Sequence, residues 1–341
     1  MQRLFVLLGL LVLVIAGASV WSHYQYANSL LEFDRLPVKV TIPKGTGVRG
    51  AATALQQGGI RVPSRLFRVA ARMRGDAERL KAGTYRFTEA MTLKQIIDRL
   101  VAGDVALEEI RFIEGWTFAQ IREALDKSQE LKHDSTGMTE KELLDKLGID
   151  APRAEGQFFP STYHFTDGTS DLEILKQAHR QLQKTLDAAW ERRPADSPLM
   201  TKYEALIFAS IVEKETSLDS DRGKIAGVLG NRLRKAMLLQ SDPTTIYGMG
   251  DKFDGNLRKR DLQADTPYNT YTRKGLPPTP ISAPGEASIL AAIMPDTTDA
   301  LFFVARGDGS SEFSRTLAEH NRAVAKYQLK KNRSKTKKKS Q

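Results

Sequence analysis

Between Arg3 and Glu32 the chain carries no Asp, Glu, Lys or Arg, and Leu4 to Trp21 reads almost entirely apolar. That is about the length a helix needs to cross a bilayer, so the segment must enter a membrane. Arg3 and the terminal amine precede it and a long polar body follows, which by the positive-inside tendency puts the N-terminus in the cytoplasm and the body outside. Two readings of the run stand side by side. Leu4–Ile15 has the length of a signal-peptide apolar region, with Ala16-Gly17-Ala18 as a small-residue cleavage site. Against cleavage, the positive flank is thin and Trp21, Tyr24 and Tyr26 form an aromatic cluster of the interfacial kind. We carry the retained anchor forward; either reading exports the body.

The whole chain has 341 residues, 41% hydrophobic and 27% charged, enough for two domains of ordinary size and incompatible with wholesale disorder. With no cysteine, disulfide scaffolds, Cys-ligated metals and thiol nucleophiles are excluded. The formal charge of +10 is mostly a property of the tail, since Lys330, Lys331, Arg333, Lys335, Lys337, Lys338 and Lys339 lie in its last twelve residues with no acid among them. The tail reads as a solvated, disordered end, with attachment to an anionic polymer or lipid as the sharper alternative. An exported chain makes nucleic acid an improbable partner despite the charge.

Along the body, Val38–Ile42 alternates in strand fashion before the turn-rich Pro43–Gly47. Helices are predicted over Val48–Gly58, from Pro63-Ser64 through Met73, and from Thr92 through Leu100, with a returning strand at Gly83–Phe87. Glu108–Ile113 then reads as a strand and Phe118–Leu125 as a helix, while 126–155 are polar and hard to place. Gly156–Pro160 is an apolar loop and Asp171–Trp190 a long amphipathic helix. Ala205–Val212 is apolar all round, so that helix must be central to a core. A helix over about Asp219–Met237 follows, then a loop-rich stretch from Met249 to Gly285, a helix at Ala287–Met294, a hairpin of Leu301–Ala305 with Glu312–Ser314, and a closing helix over Thr316–Leu329.

Several chemistries find no residues to carry them. The histidines His23, His133, His164, His179 and His320 are far apart in sequence and form no H-E-x-x-H, so no metal is expected. Phosphate- and dinucleotide-binding glycine loops and G-x-S-x-G are missing, and the one Ser-x-x-Lys lies in the basic tail. No cofactor is expected.

What remains is an acid at the end of the apolar helix. Ile207, Ile211 and Glu215 are spaced i, i+4, i+8, so the carboxyl sits on a stripe that begins as core. Burial disfavours its charged form and raises its pKa toward neutrality, as a general acid requires. Glu213 is about 200° round the helix and must do something else, such as a supporting hydrogen bond or an ion pair with Arg222 or Arg232. The bland reading of Glu213-Lys214-Glu215, a solvated helix end, stays open on spacing alone. A second group, in Gln240–Tyr247 and Pro267–Tyr271, crowds amide, carboxylate, hydroxyl and aromatic side chains: Gln240, Asp242, Tyr247, Asn269 and Tyr271 are candidates to hold a sugar, with turn chemistry as the alternative.

These residues bring a family with them. Ala209-Ser210-Ile211-Val212-Glu213-Lys214-Glu215-Thr216, Asn231-Arg232-Leu233, Leu239-Gln240-Ser241-Asp242-Pro243 and Ile246-Tyr247-Gly248-Met249-Gly250 resemble the endolytic murein transglycosylases of the MltG/YceG type. Lys81–Tyr85, Glu114-Gly115, Tyr268–Tyr271, Gly275–Pro278 and His320-Asn321 extend the match, adding Asn321 to the candidates. The resemblance implies an α+β protein with a single transmembrane helix (1–24), a small membrane-proximal LysM-like α+β module (25–105), and a mixed α+β catalytic domain with a buried catalytic helix (106–329), ahead of the basic tail (330–341). It implies a bitopic protein of the cell inner membrane, N-terminus cytoplasmic and catalytic domain periplasmic. Its partners would be peptidoglycan glycan strands, the bilayer through residues 4–21, and as a further class peptidoglycan synthases. In the family the second Glu of Glu-x-Glu is the catalytic one, here Glu215, and its reaction cuts nascent strands internally to leave a 1,6-anhydro-muramic end. Ser241, where the family often has Thr, and the Lys-rich tail depart from the pattern. Two rivals stand beside this reading: a muramidase using Asp242 as second carboxylate, and a non-catalytic glycan-binding anchor.

Overall fold

A computed structural model describes residues 2–329; the tail expected to be disordered lies outside the described residues. The architecture is mixed α+β, in two compact units. One comprises residues up to Glu109 with His164–Thr169, the other Ile110–Tyr163 and Ser170 onward.

In the first unit, α1 (Gln2–Asn28) is one unbroken helix, and among the described residues it alone is long and apolar enough to cross a membrane. It continues beyond the apolar run because Ser22–Asn28 contains no Pro or Gly to stop it. Strand β1 (Val38–Ile42) buries alternate residues and pairs antiparallel with β2 (Gly83–Phe87), Val40 opposite Tyr85. Helices α2 (Val48–Gln57), α3 (Ser64–Met73) and α4 (Leu93–Ala102) contribute Leu55, Phe67, Ile97 and Leu100 to a core shared with Val40, Tyr85 and Phe87. Thr92 and Gln95 close a reciprocal capping box at the start of α4, and Leu93, Ile96, Ile97 and Leu100 are buried at the predicted spacing. Each such side chain contributes about 1.5–3 kcal/mol of burial.

The chain passes through β3 (Glu108–Arg111) into α5 (Phe118–Lys127). The stretch 126–155 then proves to hold β4 (Leu131–Lys132) and α6 (Glu140–Leu147). A Thr139–Glu142 capping box starts α6, a legible signal that the polar composition obscured. After β5 (Thr162–Phe165) and β6 (Thr169–Ser170) comes α7 (Asp171–Trp190), over its predicted span.

Helix α8 (Lys202–Glu215) is the centre of this unit, with every residue of Ala205–Val212 buried. Phe208 and Ile211 share a core with Leu182 of α7, Ile225 and Leu229 of α9 (Asp219–Arg234), and Ile289 and Ile293 further along the chain. Segment 296–298 crosses α9 so closely that a Cβ on Gly223 would lie 2.4 Å from Asp296 Oδ1, and one on Gly227 2.5 Å from the Asp296 carbonyl oxygen. At 227 the obstacle is backbone, so only glycine fits there, whereas at 223 it is the Asp296 side chain.

Next come α10 (Asp242–Met249), a short α11 (Lys259–Gln263) inside the stretch expected to be loops, and α12 (Glu286–Ile293). The predicted hairpin forms as β7 (Phe302–Ala305) and β8 (Ser311–Ser314), Phe303 opposite Phe313. The closing helix is shorter than the expected Thr316–Leu329: α13 covers Leu317–Val324, and Ala325–Leu329 widens into π-type turns.

Candidate functional site

The last residue of α8 is Glu215, and Thr216 turns the backbone to an extended conformation immediately after it. Core packing on Ile207 and Ile211 fixes the helix below, so the carboxyl is delivered to a set position at the wall of a cavity of about 540 Å³. Its own surface is only partly accessible, through that cavity. Burial pushes the Glu215 carboxyl up to about 7, and the nearby charge of Asp242 adds to the rise; a hydrogen bond from Ser241 Oγ and the charge of Arg232 oppose it without cancelling it. The position at a helix C-terminus works in the same direction, because the helix dipole is negative there.

Ser241 Oγ donates to Glu215 Oε1, and no other hydrogen bond to that carboxyl occurs among the described residues. The other oxygen is therefore the one left to handle a proton. Ser241 is itself held: its N–H donates to Thr270 Oγ1 at 3.0 Å, and its carbonyl accepts from Thr244 Oγ1 at 2.7 Å. Before it, Gln240 sits at φ +53, a left-handed conformation costing a non-glycine residue about 1–2 kcal/mol. Packing sustains it: Gln240 N–H donates to the Thr270 carbonyl at 3.1 Å, and Gln240 Oε1 accepts from Arg232 Nη1 at 3.0 Å.

Gln240, Asp242, Tyr271 and Asn321 all line the Glu215 cavity. Tyr271 Oη donates to Asp242 Oδ1, which places a carboxylate and a phenol side by side at the start of α10; burial and that carboxylate raise the Tyr271 pKa. Asn321 arrives on α13, beside the aromatic face of β7.

Three other sequence candidates are turned elsewhere. Glu213 accepts a hydrogen bond from the Gly285 N–H at 3.0 Å, at the start of α12. It makes no ion pair with Arg222 or Arg232 among the described residues; its hydrogen-bond partner is backbone rather than a cation. Asn269 is fully buried and donates to the carbonyls of Asp261, Leu262 and Ala264 while accepting from Thr245 Oγ1 and Tyr271 N–H. It shapes the loop that carries Tyr271. Tyr247 Oη donates to Glu155 Oε2 at 3.1 Å, on a part of α10 that does not line the cavity.

Sequence reasoning named Arg232 and His320 without placing them at the cavity, and passed over Glu155, which lies away from it. Arg232 reaches the cavity wall, where its guanidinium donates to the carbonyls of Leu301, Leu238 and Leu239 and lies 5.0 Å from the centre of the Phe302 ring. It joins α9 to both sides of the cavity. His320 stacks on Phe302 with ring centroids 5.2 Å apart, its pKa lowered first by burial and then by Arg232. Glu155 is a second buried acid, raised to about 7 by burial although it accepts from Phe118 N–H and Tyr247 Oη. No local pattern marks it, since its partners are 37 and 92 residues away in sequence.

Fold and cavity thus define a mixed α+β protein in which a buried helix delivers one partly desolvated acid to a polar and aromatic cleft. The YceG-like family model matches residues 40–326, and the chain belongs to that family. It is 34% identical over 342 residues to the endolytic murein transglycosylase of Bacillus subtilis, a match covering 94% of this chain and 92% of that one. The endolytic murein transglycosylase of Streptococcus pneumoniae is 29% identical over 363 residues, covering 95% of this chain and 65% of its own. A crystal structure of a YceG-like protein from Listeria monocytogenes has a TM-score of 0.52 at 30% identity, covering 83% of this chain and 97% of that one.

Proposed function

We propose that this chain is a membrane-anchored endolytic lytic transglycosylase, which cuts nascent peptidoglycan strands internally between N-acetylmuramic acid and N-acetylglucosamine. The observation that carries the reading is that Glu215, held near neutrality by burial, lines a cavity large enough for a sugar, while the other carboxyl raised to that range, Glu155, does not. The names of the Bacillus and Streptococcus relatives support it. Protonated Glu215 donates to the glycosidic oxygen, and an oxocarbenium-like species forms at the muramic C1. The C6 hydroxyl of the same sugar then attacks C1, with Glu215, now ionised, taking its proton. The product is a 1,6-anhydro end. Ser241 holds one carboxyl oxygen through both steps, and Gln240, Asp242, Tyr271 and Asn321 bind the glycan. Glu213, Asn269 and Tyr247 act behind them, holding the loops.

In this reading α1 is a retained inner-membrane anchor with its N-terminus cytoplasmic, residues 25–105 are a LysM-like module, and residues 106–329 form the periplasmic catalytic domain. The aromatic cluster Trp21, Tyr24 and Tyr26 at the end of the apolar run is what supports retention.

Mass spectrometry of the products from uncrosslinked nascent strands tests the reaction. We expect ends lighter by one water than hydrolysed ends. Hydrolysed ends alone would replace the transglycosylase with a muramidase using Asp242, no cleavage by the parent protein would leave only a glycan-binding anchor, and unchanged cleavage by Glu215→Gln would remove Glu215 from the role of acid.

A further inference from the structure

Helix α3 has three faces. At 100° per residue, Phe67 and Ala71 point into the core and are fully buried, while Arg65, Arg68 and Arg72 form a stripe within about 60° of arc. Between the stripe and α1 lies an apolar strip, Leu66, Val69 and Met73. Leu66 is half-buried against the core, but Val69 is 52% exposed and Met73 84%. Arg61, Arg74, Arg79, Arg86 and Arg99 of the same unit are ion-paired, whereas the three stripe arginines, like Arg35 and Arg49, have no ion-pair partner among the described residues; Arg68 Nε donates to the Ser64 carbonyl at 3.2 Å.

The strip forms one wall of a groove of about 660 Å³. The opposite wall is α1, through Ile15, Ala18 and Ser22, positions on one helix face that lie in the second half of the apolar run and at its end. Tyr26 and Arg74 pin the two helices together at the top of the groove. An open apolar groove whose wall continues into a candidate membrane span, with the arginine stripe flanking the apolar strip on the side of α3 away from α1, suits a phospholipid: acyl chain in the groove, phosphate at the flanking guanidinium groups.

We propose that this groove is a phospholipid-binding site, occupied by an anionic lipid of the leaflet in which α1 emerges. The acyl chain lies against Val69, Met73 and the α1 face, and the phosphate meets Arg65, Arg68 and Arg72. The site rests on α1 being a retained anchor, and it presses the membrane-proximal module onto the bilayer rather than leaving it free on a tether.

Because the chain has no cysteine, a single introduced one is a unique label. Full-length Met73→Cys, Leu11→Cys and Lys44→Cys, each carrying an environment-sensitive fluorophore, are reconstituted in vesicles of phosphatidylethanolamine and phosphatidylglycerol. We expect shallow doxyl lipids to quench the label at position 73, deep doxyl lipids the label at position 11, and aqueous iodide the label at position 44. A label at 73 open to iodide while that at 11 is lipid-embedded overturns the lipid site and leaves the anchor standing. Labels at both 11 and 73 open to iodide overturn the anchor, and the site with it. At position 73, doxyl-phosphatidylglycerol should quench more than doxyl-phosphatidylcholine, by up to about fivefold for one arginine–phosphate contact, and the Arg65→Gln, Arg68→Gln, Arg72→Gln triple variant should abolish the difference. Equal quenching by the two lipids in the parent protein overturns the role of the stripe. Far-UV circular dichroism checks that each variant is folded.

Discussion

Glu155 and Glu215 form a natural experiment within one unit. Burial pushes each carboxyl up to about 7, and each accepts a hydroxyl hydrogen bond, from Tyr247 and Ser241 respectively. Glu155, however, is sealed: both its oxygens are engaged, one by Phe118 N–H and the other by Tyr247 Oη, and it lines no part of the cavity. Glu215 lines the cavity, and only one of its oxygens has a hydrogen-bond partner among the described residues. A raised pKa therefore reports burial, and burial serves structure as readily as chemistry. Access to a substrate-sized space separates the two, and that is a property of the surroundings rather than of the acid.

The sharpest way to break this comparison is to neutralise each acid without changing its shape. Glu215→Gln should lower glycan cleavage by about 10³-fold or more while the protein stays folded, because a sole general acid is removed. Glu155→Gln should keep cleavage within about tenfold of the parent, measured by release of soluble muropeptides. Equal losses in the two variants would dissolve the distinction.

Stability against pH gives the next largest effect. Glu155 binds its proton more tightly folded, at about 7, than at its ordinary value of 4.5. Its contribution is therefore complete below about pH 4.5 and is lost as pH rises through about 7, a change of about 3 kcal/mol. Urea unfolding of Glu155→Gln between pH 5 and 8 should show a decline in stability shallower than the parent's by up to that amount. Parallel declines would mean that Glu155 is not buried as a neutral acid.

A smaller effect separates holding an acid from being one. The Ser241 hydroxyl favours the ionised form of Glu215, so Ser241→Ala should move the alkaline limb of the pH–activity profile upward by up to about one unit and lower cleavage about tenfold. Ser241→Thr, which keeps the hydroxyl, should restore the parent profile. The smallest effect belongs to the sealed acid's partner: Tyr247→Phe should destabilise the fold by about 1 kcal/mol in denaturant titration, with no shift of the pH–activity profile.

Much of this was legible in sequence where the signal is local. Thr92 and Gln95 announce α4, and the all-round apolar Ala205–Val212 announces a core helix whose stripe runs into Glu215. The Thr139–Glu142 box was equally readable, yet the polar surroundings hid it. Gln240, Asp242 and Tyr271 could be grouped by their chemistry, but the same reasoning also selected Asn269, which spends its amide on backbone carbonyls. Hydrogen-bonding side chains that hold a loop and those that hold a ligand have the same composition.

By itself the sequence determined the apolar first helix, the helical and strand periods of most elements, and the placement of an acid at the end of a helix that had to be buried, because these follow from repeats within a few residues. Tertiary structure alone decided that Glu213 meets Gly285, that Arg232 joins two walls of a cavity, and that Glu155 is closed off while Glu215 is open. Those outcomes depend on contacts between residues tens of positions apart. Desolvation is a sum over such neighbours, so no short stretch of chain contains it.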